Sequence, residues 1–137
     1  MTTEADGERY ARAGKVLDDL FTPAWRKMDG GSQSPAGKYF GQICVEHCYA
    51  DAWARETLDY KTRSIITLSA LATMGLQEEL KMHVRIALNV GHTPDDIVEF
   101  FSHLVPYVGV PKMVQALRNA GEVFAQQAQA ASKSTET

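Results

Sequence analysis

Apolar residues return at intervals of three and four along nearly the whole chain and nowhere alternate with polar ones over a strand's length, so the regular structure this sequence supports is helical. A first helix over about residues 4–21 carries the stripe Tyr10, Ala13, Val16, Leu17 and Leu20. Breakers follow, Thr22-Pro23 and then Asp29-Gly30-Gly31-Ser32-Gln33-Ser34-Pro35, which read as a loop ending where Pro35 opens a second helix. That helix presents Tyr39, Phe40, Ile43 and the stretch from Val45 to Tyr49, and gives out near Ala54. A third begins near Asp59 and passes through Ile65, Ile66, Leu68, Leu71 and Ala72 to Gly75, a left-handed terminator. The fourth opens near Gln77 with Glu78 and Glu79 at its positive end and closes at Gly91. The fifth has the clearest start, with Thr93 as cap, Pro94 in the first position, then Asp95 and Asp96. Pro106 and Gly109 bend or end it around Tyr107, and Pro111 starts a sixth through Met113, Leu117, Ala120 and Phe124. Beyond Gln126 the composition turns to Gln, Ala, Ser, Thr and Lys, and a frayed tail is expected over about residues 127–137. The fold class is all-α.

A chain of 137 residues has room for one domain with one core, spanning residues 1–137. Its 45% hydrophobic and 23% charged residues are ordinary globular values. A net charge of -3 supplies no basic field for nucleic acid, and no apolar run reaches the roughly 18 residues a membrane span requires. The start, Met1 to Gly7, is acidic and polar where a secretory signal needs positive charge and then an apolar stretch, so a cytoplasmic location is expected. Cys44 and Cys48 stand four apart on one helix face, and His47 points about 100° away from either, so the trio reads as small buried thiols rather than a metal site.

The groups able to do chemistry lie between Glu46 and Pro111 on apolar helices: Glu46, Trp53, Arg55, Arg63, His83, Glu99, His103 and Tyr107. An ionisable side chain taken out of water needs a partner, so several imidazoles and guanidiniums on core-forming helices point to a shared polar pocket for a small molecule. His83 neighbours Leu80 and Ala87 and looks inward. Glu99 and His103 are four apart and share a side, the spacing of a carboxylate that holds an imidazole.

A set of separated motifs then carries a family likeness: Glu46 with Tyr49-Ala50-Asp51-Ala52-Trp53-Ala54-Arg55, then Leu58, Arg63, His83-Val84-Arg85, Ala87-Leu88, Gly91, Thr93, Glu99, His103 and Tyr107-Val108-Gly109-Val110-Pro111. Over about residues 36–125 the chain resembles the gamma-carboxymuconolactone decarboxylase family of the wider alkylhydroperoxidase D-like group. The resemblance implies a compact all-α subunit of six to seven helices, assembled into an oligomeric ring as a homotrimer or homohexamer. In the peroxidase branch a Cys-x-x-Cys pair precedes the histidine matching His83; Leu76 and Glu79 occupy those positions here, so the thiol relay lacks its dithiol. The family's usual Trp-Ser/Thr-Arg-Pro-Gly-Leu is Trp53-Ala54-Arg55-Glu56-Thr57-Leu58, without the Pro-Gly turn.

The implied reaction removes carbon dioxide from an anionic unsaturated lactone such as gamma-carboxymuconolactone, giving the 3-oxoadipate enol-lactone in aromatic-acid breakdown. The electrons left behind delocalise to the lactone carbonyl, so no cofactor and no metal is expected. Arg55, with Arg63 or Arg85, would clamp carboxylates. His83 is the first choice for proton donor or oxyanion partner because imidazole titrates near neutrality; His103 is the second, oriented by Glu99 or Glu46. Trp53 and Tyr107 would wall the pocket. The whole assignment expects Arg55 and His83 to meet around one buried cavity. The competing reading is a helical module that binds a small acid without catalysis.

Overall fold

A computed structural model describes residues 4–22 and 34–135, and the expected loop over residues 23–33 lies outside them. Six α-helices follow one another: α1 (Glu4–Phe21), α2 (Pro35–Val45), α3 (Tyr60–Met74), α4 (Gln77–Asn89), α5 (Pro94–Val108) and α6 (Val110–Thr135). A π-helical segment, Glu46–Trp53, continues directly from α2. No strand occurs among the described residues, and the protein is all-α. The contacts divide the chain into two compact units, Met1–Tyr60 and Lys61–Thr137.

In the first unit α1 lies against the π segment. Ala13, Val16, Leu17 and Leu20 of the expected stripe are buried, as are Ala50 and Trp53, whereas Tyr10 at the start of the stripe is 45% exposed. The second helix opens as the sequence implies: Ser34 accepts a bond of 3.1 Å from the Gly37 amide and Pro35 fills the first turn. Past Val45 the hydrogen bonds lengthen in register, so that the Ala54 amide donates to the Tyr49 carbonyl five residues back at 2.9 Å. Nothing in the apolar spacing separates this widened helix from an ordinary one. α2 itself buries no residue. Cys44 and Cys48, expected as buried thiols, are both exposed, because the face they occupy has no covering element among the described residues of this subunit.

The second unit is built around Leu68 and Leu71 of α3, Leu80 and Val84 of α4, Ile97 and Phe101 of α5, and Met113 and Val123 of α6. Each such side chain contributes about 1.5–3 kcal/mol by leaving water. Helix ends follow the chemistry of their residues. Gly75 stops α3 at φ 75° and Gly91 closes the turn after α4 at φ 105°, angles that a side chain strains to adopt. Pro106 does not end α5: the helix carries through it and stops at Gly109, whose φ is 110°. α6 begins one residue before Pro111 and runs on to Thr135, where fraying from residue 127 was expected; alanine and glutamine sustain the helical backbone although the residues there are exposed.

One histidine that the sequence did not single out fastens this unit. His92 is 8% exposed, and its Nε2–H donates to the Lys61 carbonyl at 3.0 Å, tying the start of α3 to the turn before α5. Its ring meets Phe100 edge-on with centroids 5.0 Å apart. The turn is fixed further by reciprocal bonds: the Asp96 amide donates to Thr93 Oγ1 at 3.1 Å and the Thr93 amide to Asp96 Oδ2 at 2.8 Å. The bond from the Thr93 amide first, and then the Thr93 side chain, hold the Asp96 carboxyl below the usual carboxylate range. Thr93→Ala should therefore lower the unfolding free energy by about 1 kcal/mol in urea titration, and Thr93→Ser should restore most of it.

Candidate active site

The first unit holds an open cavity of about 540 Å³ between α1 and the turn that follows the π segment. That size suits a small organic ligand. From α1 it is lined by Arg12, Lys15, Val16 and Asp19, and from the other side by Trp53, Ala54, Arg55, Glu56, Leu58, Asp59 and Tyr60. Trp53, 7% exposed, forms the apolar wall, its ring 6.2 Å from that of Tyr60 and 6.5 Å from that of Tyr49. Tyr60 donates its hydroxyl to Asp19 Oδ2 at 3.2 Å, joining the two sides. Arg55 is exposed at the rim, on a turn built here without a Pro-Gly pair. Burial, and then the neighbouring Cys48, push the Tyr49 hydroxyl up to about 12, so it stays protonated at any physiological pH.

Glu46, a predicted site residue, is 6% exposed and occupied. Its carboxylate lies 3.3 Å from the Arg9 guanidinium and accepts a bond of 2.9 Å from Gln42 Nε2. Arg9 also grips Asp51 through both oxygens, at 2.6 Å and 3.3 Å, and this pairing holds the Asp51 carboxyl below its ordinary range. Asp51 thereby anchors α1. The structure thus brings Trp53 and Arg55 to one cavity and commits Glu46 to an ion pair beside it.

The other predicted site residues belong to the second unit. His83 is 8% exposed on the inner face of α4, as its neighbours implied. Burial lowers its pKa to about 4, so the ring is neutral at neutral pH in the free protein, and the argument that imidazole titrates near neutrality does not hold for this one. Ser64, which the sequence offered no reason to notice, is fully buried on α3 with its hydroxyl unmatched by any hydrogen bond among the described residues. Arg63, one residue earlier, is half-buried. Arg85 donates to Gln126 at 3.0 Å on an exposed face.

Glu99 and His103 are both exposed, and no hydrogen bond or ion pair joins them. A solvated carboxylate gains little by holding an imidazole four residues away, so the pairing implied by their spacing is not made. His103 instead lies beside the Tyr107 ring, with centroids 5.6 Å apart. Tyr107 is 76% exposed and does not line the cavity beside Trp53. Among the described residues no group of three or more His, Cys, Asp or Glu side chains is placed to hold a metal ion, and no helix is long and apolar enough to cross a membrane.

Arg12, Lys15, Asp19 and Tyr60 were absent from the sequence reading of the site. Their one sequence signal is the spacing of residues 12, 15, 16 and 19, which share a side of α1, but only the packing of α1 beside Trp53 shows what that side faces.

An all-α chain carrying this helix order and these motifs belongs to the carboxymuconolactone decarboxylase family, whose pattern it matches over residues 39–122. Among its relatives, the 4-carboxymuconolactone decarboxylase of Acinetobacter baylyi is 35% identical over 119 residues, 87% of this chain and 89% of that protein. The nitrosuccinic acid decarboxylase of Metarhizium robertsii is 33% identical over 103 residues, 75% of this chain and 72% of that protein. An uncharacterized protein of Paracoccus denitrificans is 28% identical over 122 residues, 88% of this chain and 91% of that protein.

The buried imidazole has a consequence for stability. Above pH 6.5 His83 is neutral folded and unfolded alike; as pH falls from 6.5 toward 4 the unfolded chain takes up a proton that the native protein refuses, so stability is lost. The shift corresponds to about 3 kcal/mol at its full extent. Unfolding titrations across pH 4 to 7 should show this decline in the wild type and a shallower one in His83→Gln.

Proposed function

We propose that this protein is a cofactor-independent decarboxylase, a carbon-carbon lyase acting on a carboxylated unsaturated lactone of the gamma-carboxymuconolactone type. The observation that carries the reading is the cavity where Arg55 stands at the rim beside the Trp53 wall, in a chain related over most of its length to a 4-carboxymuconolactone decarboxylase. Loss of the carboxyl group leaves an electron pair that passes through the ring double bond to the lactone oxygen. The substrate is its own electron sink, so the protein has to bind an anion, steady the oxyanion and return a proton to the alpha carbon.

In this scheme Arg55 binds a substrate carboxylate in fork geometry and Trp53 packs on the ring. His83, neutral before substrate arrives, serves as an N–H donor to the oxyanion and as the route for the proton, since a bound dianion would draw its pKa upward. His103 is the second candidate donor, with Arg63, Glu99 and Tyr107 as further binding groups. Carbon dioxide release from a panel of carboxylactones tests the reading. His83→Ala should lower kcat by about 100-fold or more, and Arg55→Ala should raise KM by roughly 10- to 100-fold. The Glu56-Thr57 pair in place of Pro-Gly favours a second reading, a small-acid-binding module without catalysis, and absence of turnover across the panel would establish it over the first.

The subunit is further proposed to work as a homotrimer or homohexamer. Tyr39, Phe40 and Ile43 on α2 are 67%, 69% and 45% exposed, an apolar stripe that association would cover. Light scattering should report three or six subunits, and Tyr39→Asp with Phe40→Asp should reduce that number.

A further inference from the structure

We infer that Cys44 and Cys48, at the junction of α2 and the π segment, together chelate a trivalent organoarsenical, a soft electrophile that two sulfur donors satisfy. Both are exposed free thiols. Four residues of an ordinary α-helix overshoot a full turn by about 40°, which already places the pair on one face. Cys44 belongs to α2 and Cys48 to the π segment, whose wider turns take fewer degrees per residue. The overshoot therefore shrinks, and the two side chains come close to alignment along the helix axis. Their electrostatic coupling agrees with that placement, since partial burial first and the neighbouring Cys44 next raise the Cys48 thiol.

Reach and donor count then select the ligand. Cβ atoms four apart on a helix stand about 5–6 Å from each other, whereas a disulfide needs about 3.5–4.5 Å, so a direct sulfur-sulfur bond would strain the helix. One atom between the sulfurs spans the difference. Zinc takes four donors, and among the described residues no group of three or more His, Cys, Asp or Glu side chains is placed to supply them. His47, between the two thiols in sequence, lies 3.8 Å from Asp51 instead. An arsonous acid carries its own organic substituent, so two protein sulfurs complete its three-fold coordination. The raised Cys48 thiol disfavours ions that bind only thiolate, but it does not hinder this exchange. Two arsenic-oxygen bonds break and two arsenic-sulfur bonds form. Each thiol proton leaves with a hydroxide as water, and arsenic stays trivalent throughout.

The test is intact-mass spectrometry of the full, reduced chain titrated with phenylarsonous acid. One arsenical per chain should add with the loss of two waters. The adduct should survive excess 2-mercaptoethanol and come off with 2,3-dimercaptopropanol, as a two-sulfur chelate does. Cys44→Ser and Cys48→Ser should each weaken binding by about 100-fold or more, because the second sulfur no longer acts at the effective concentration set by the first. Circular dichroism should be unaltered in both, since the two positions are exposed, and Cys44→Ala and Cys48→Ala repeat the measurement as a second pair. The thiols stand on the helix whose apolar stripe association is proposed to cover, so the titration is run on the native protein and again in urea. An adduct formed only in urea, an adduct stripped by the monothiol, or a single variant that binds as tightly as the wild type would overturn the proposal.

Discussion

The grip of Arg9 on Glu46 and Asp51 is the interaction on which the first unit depends. Residues five apart on an ordinary α-helix diverge by about 140°, too far for one guanidinium to serve both. The π segment bonds each amide to the carbonyl five residues back, and this brings positions 46 and 51 toward one side. Arg9 can then span them, at 3.3 Å to one carboxylate and 2.6 Å to the other. The same widened turns deliver Trp53 to the cavity wall and leave Arg55 on the turn beyond it. The irregularity of the helix and the placement of the candidate binding residues thus have a single origin. Glu46, buried at the centre of this arrangement, is more valuable as an anchor than as a free base, because stripping either partner would strand a charge away from water.

The second unit manages its polar groups by burial. Its three histidines occupy three environments: His103 is exposed, His92 is buried and bonded to a backbone carbonyl, and His83 is buried where desolvation governs its charge. Burial holds His83 neutral well below the pH at which imidazole usually titrates. A neutral ring inside a helical core is suited to donating one hydrogen bond to a developing negative charge and is ill suited to meeting an anion as a preformed cation. This distinction bears on catalysis, since an interaction that strengthens only as charge develops accelerates the step, whereas one present from the start merely tightens binding.

Exposed apolar side chains on α2 and the exposed thiols beside them belong to the same pattern. A helix with no buried residue gains nothing from its own subunit for carrying Tyr39, Phe40 and Ile43. Cys44 and Cys48 lie on that helix and its continuation, and the thiol of Cys48 is raised by partial burial and by its neighbour, which keeps it protonated and poorly nucleophilic.

The sequence by itself determined the all-α class, most helix boundaries and the family, because these rest on local rules: apolar spacing, the Thr93-Pro94 start, the glycine stops at 75, 91 and 109, and motifs in fixed order. It also placed His83 inward, since Leu80 and Ala87 define that face of α4. What only the tertiary structure decided were matters of partnership between distant segments. Spacing allowed Glu99 to hold His103, but solvent on that face removed the incentive. Glu46 looked able to orient a catalytic histidine until Arg9 reached it from 37 positions earlier in the chain. Arg12 and Lys15 drew no notice in the sequence, and only the packing of α1 beside Trp53 puts them on a cavity. Hydrogen bonds along one helix are written in consecutive residues, whereas the neighbour that neutralises a charge, or the cavity that a cation lines, exists only once segments far apart in the chain have folded together.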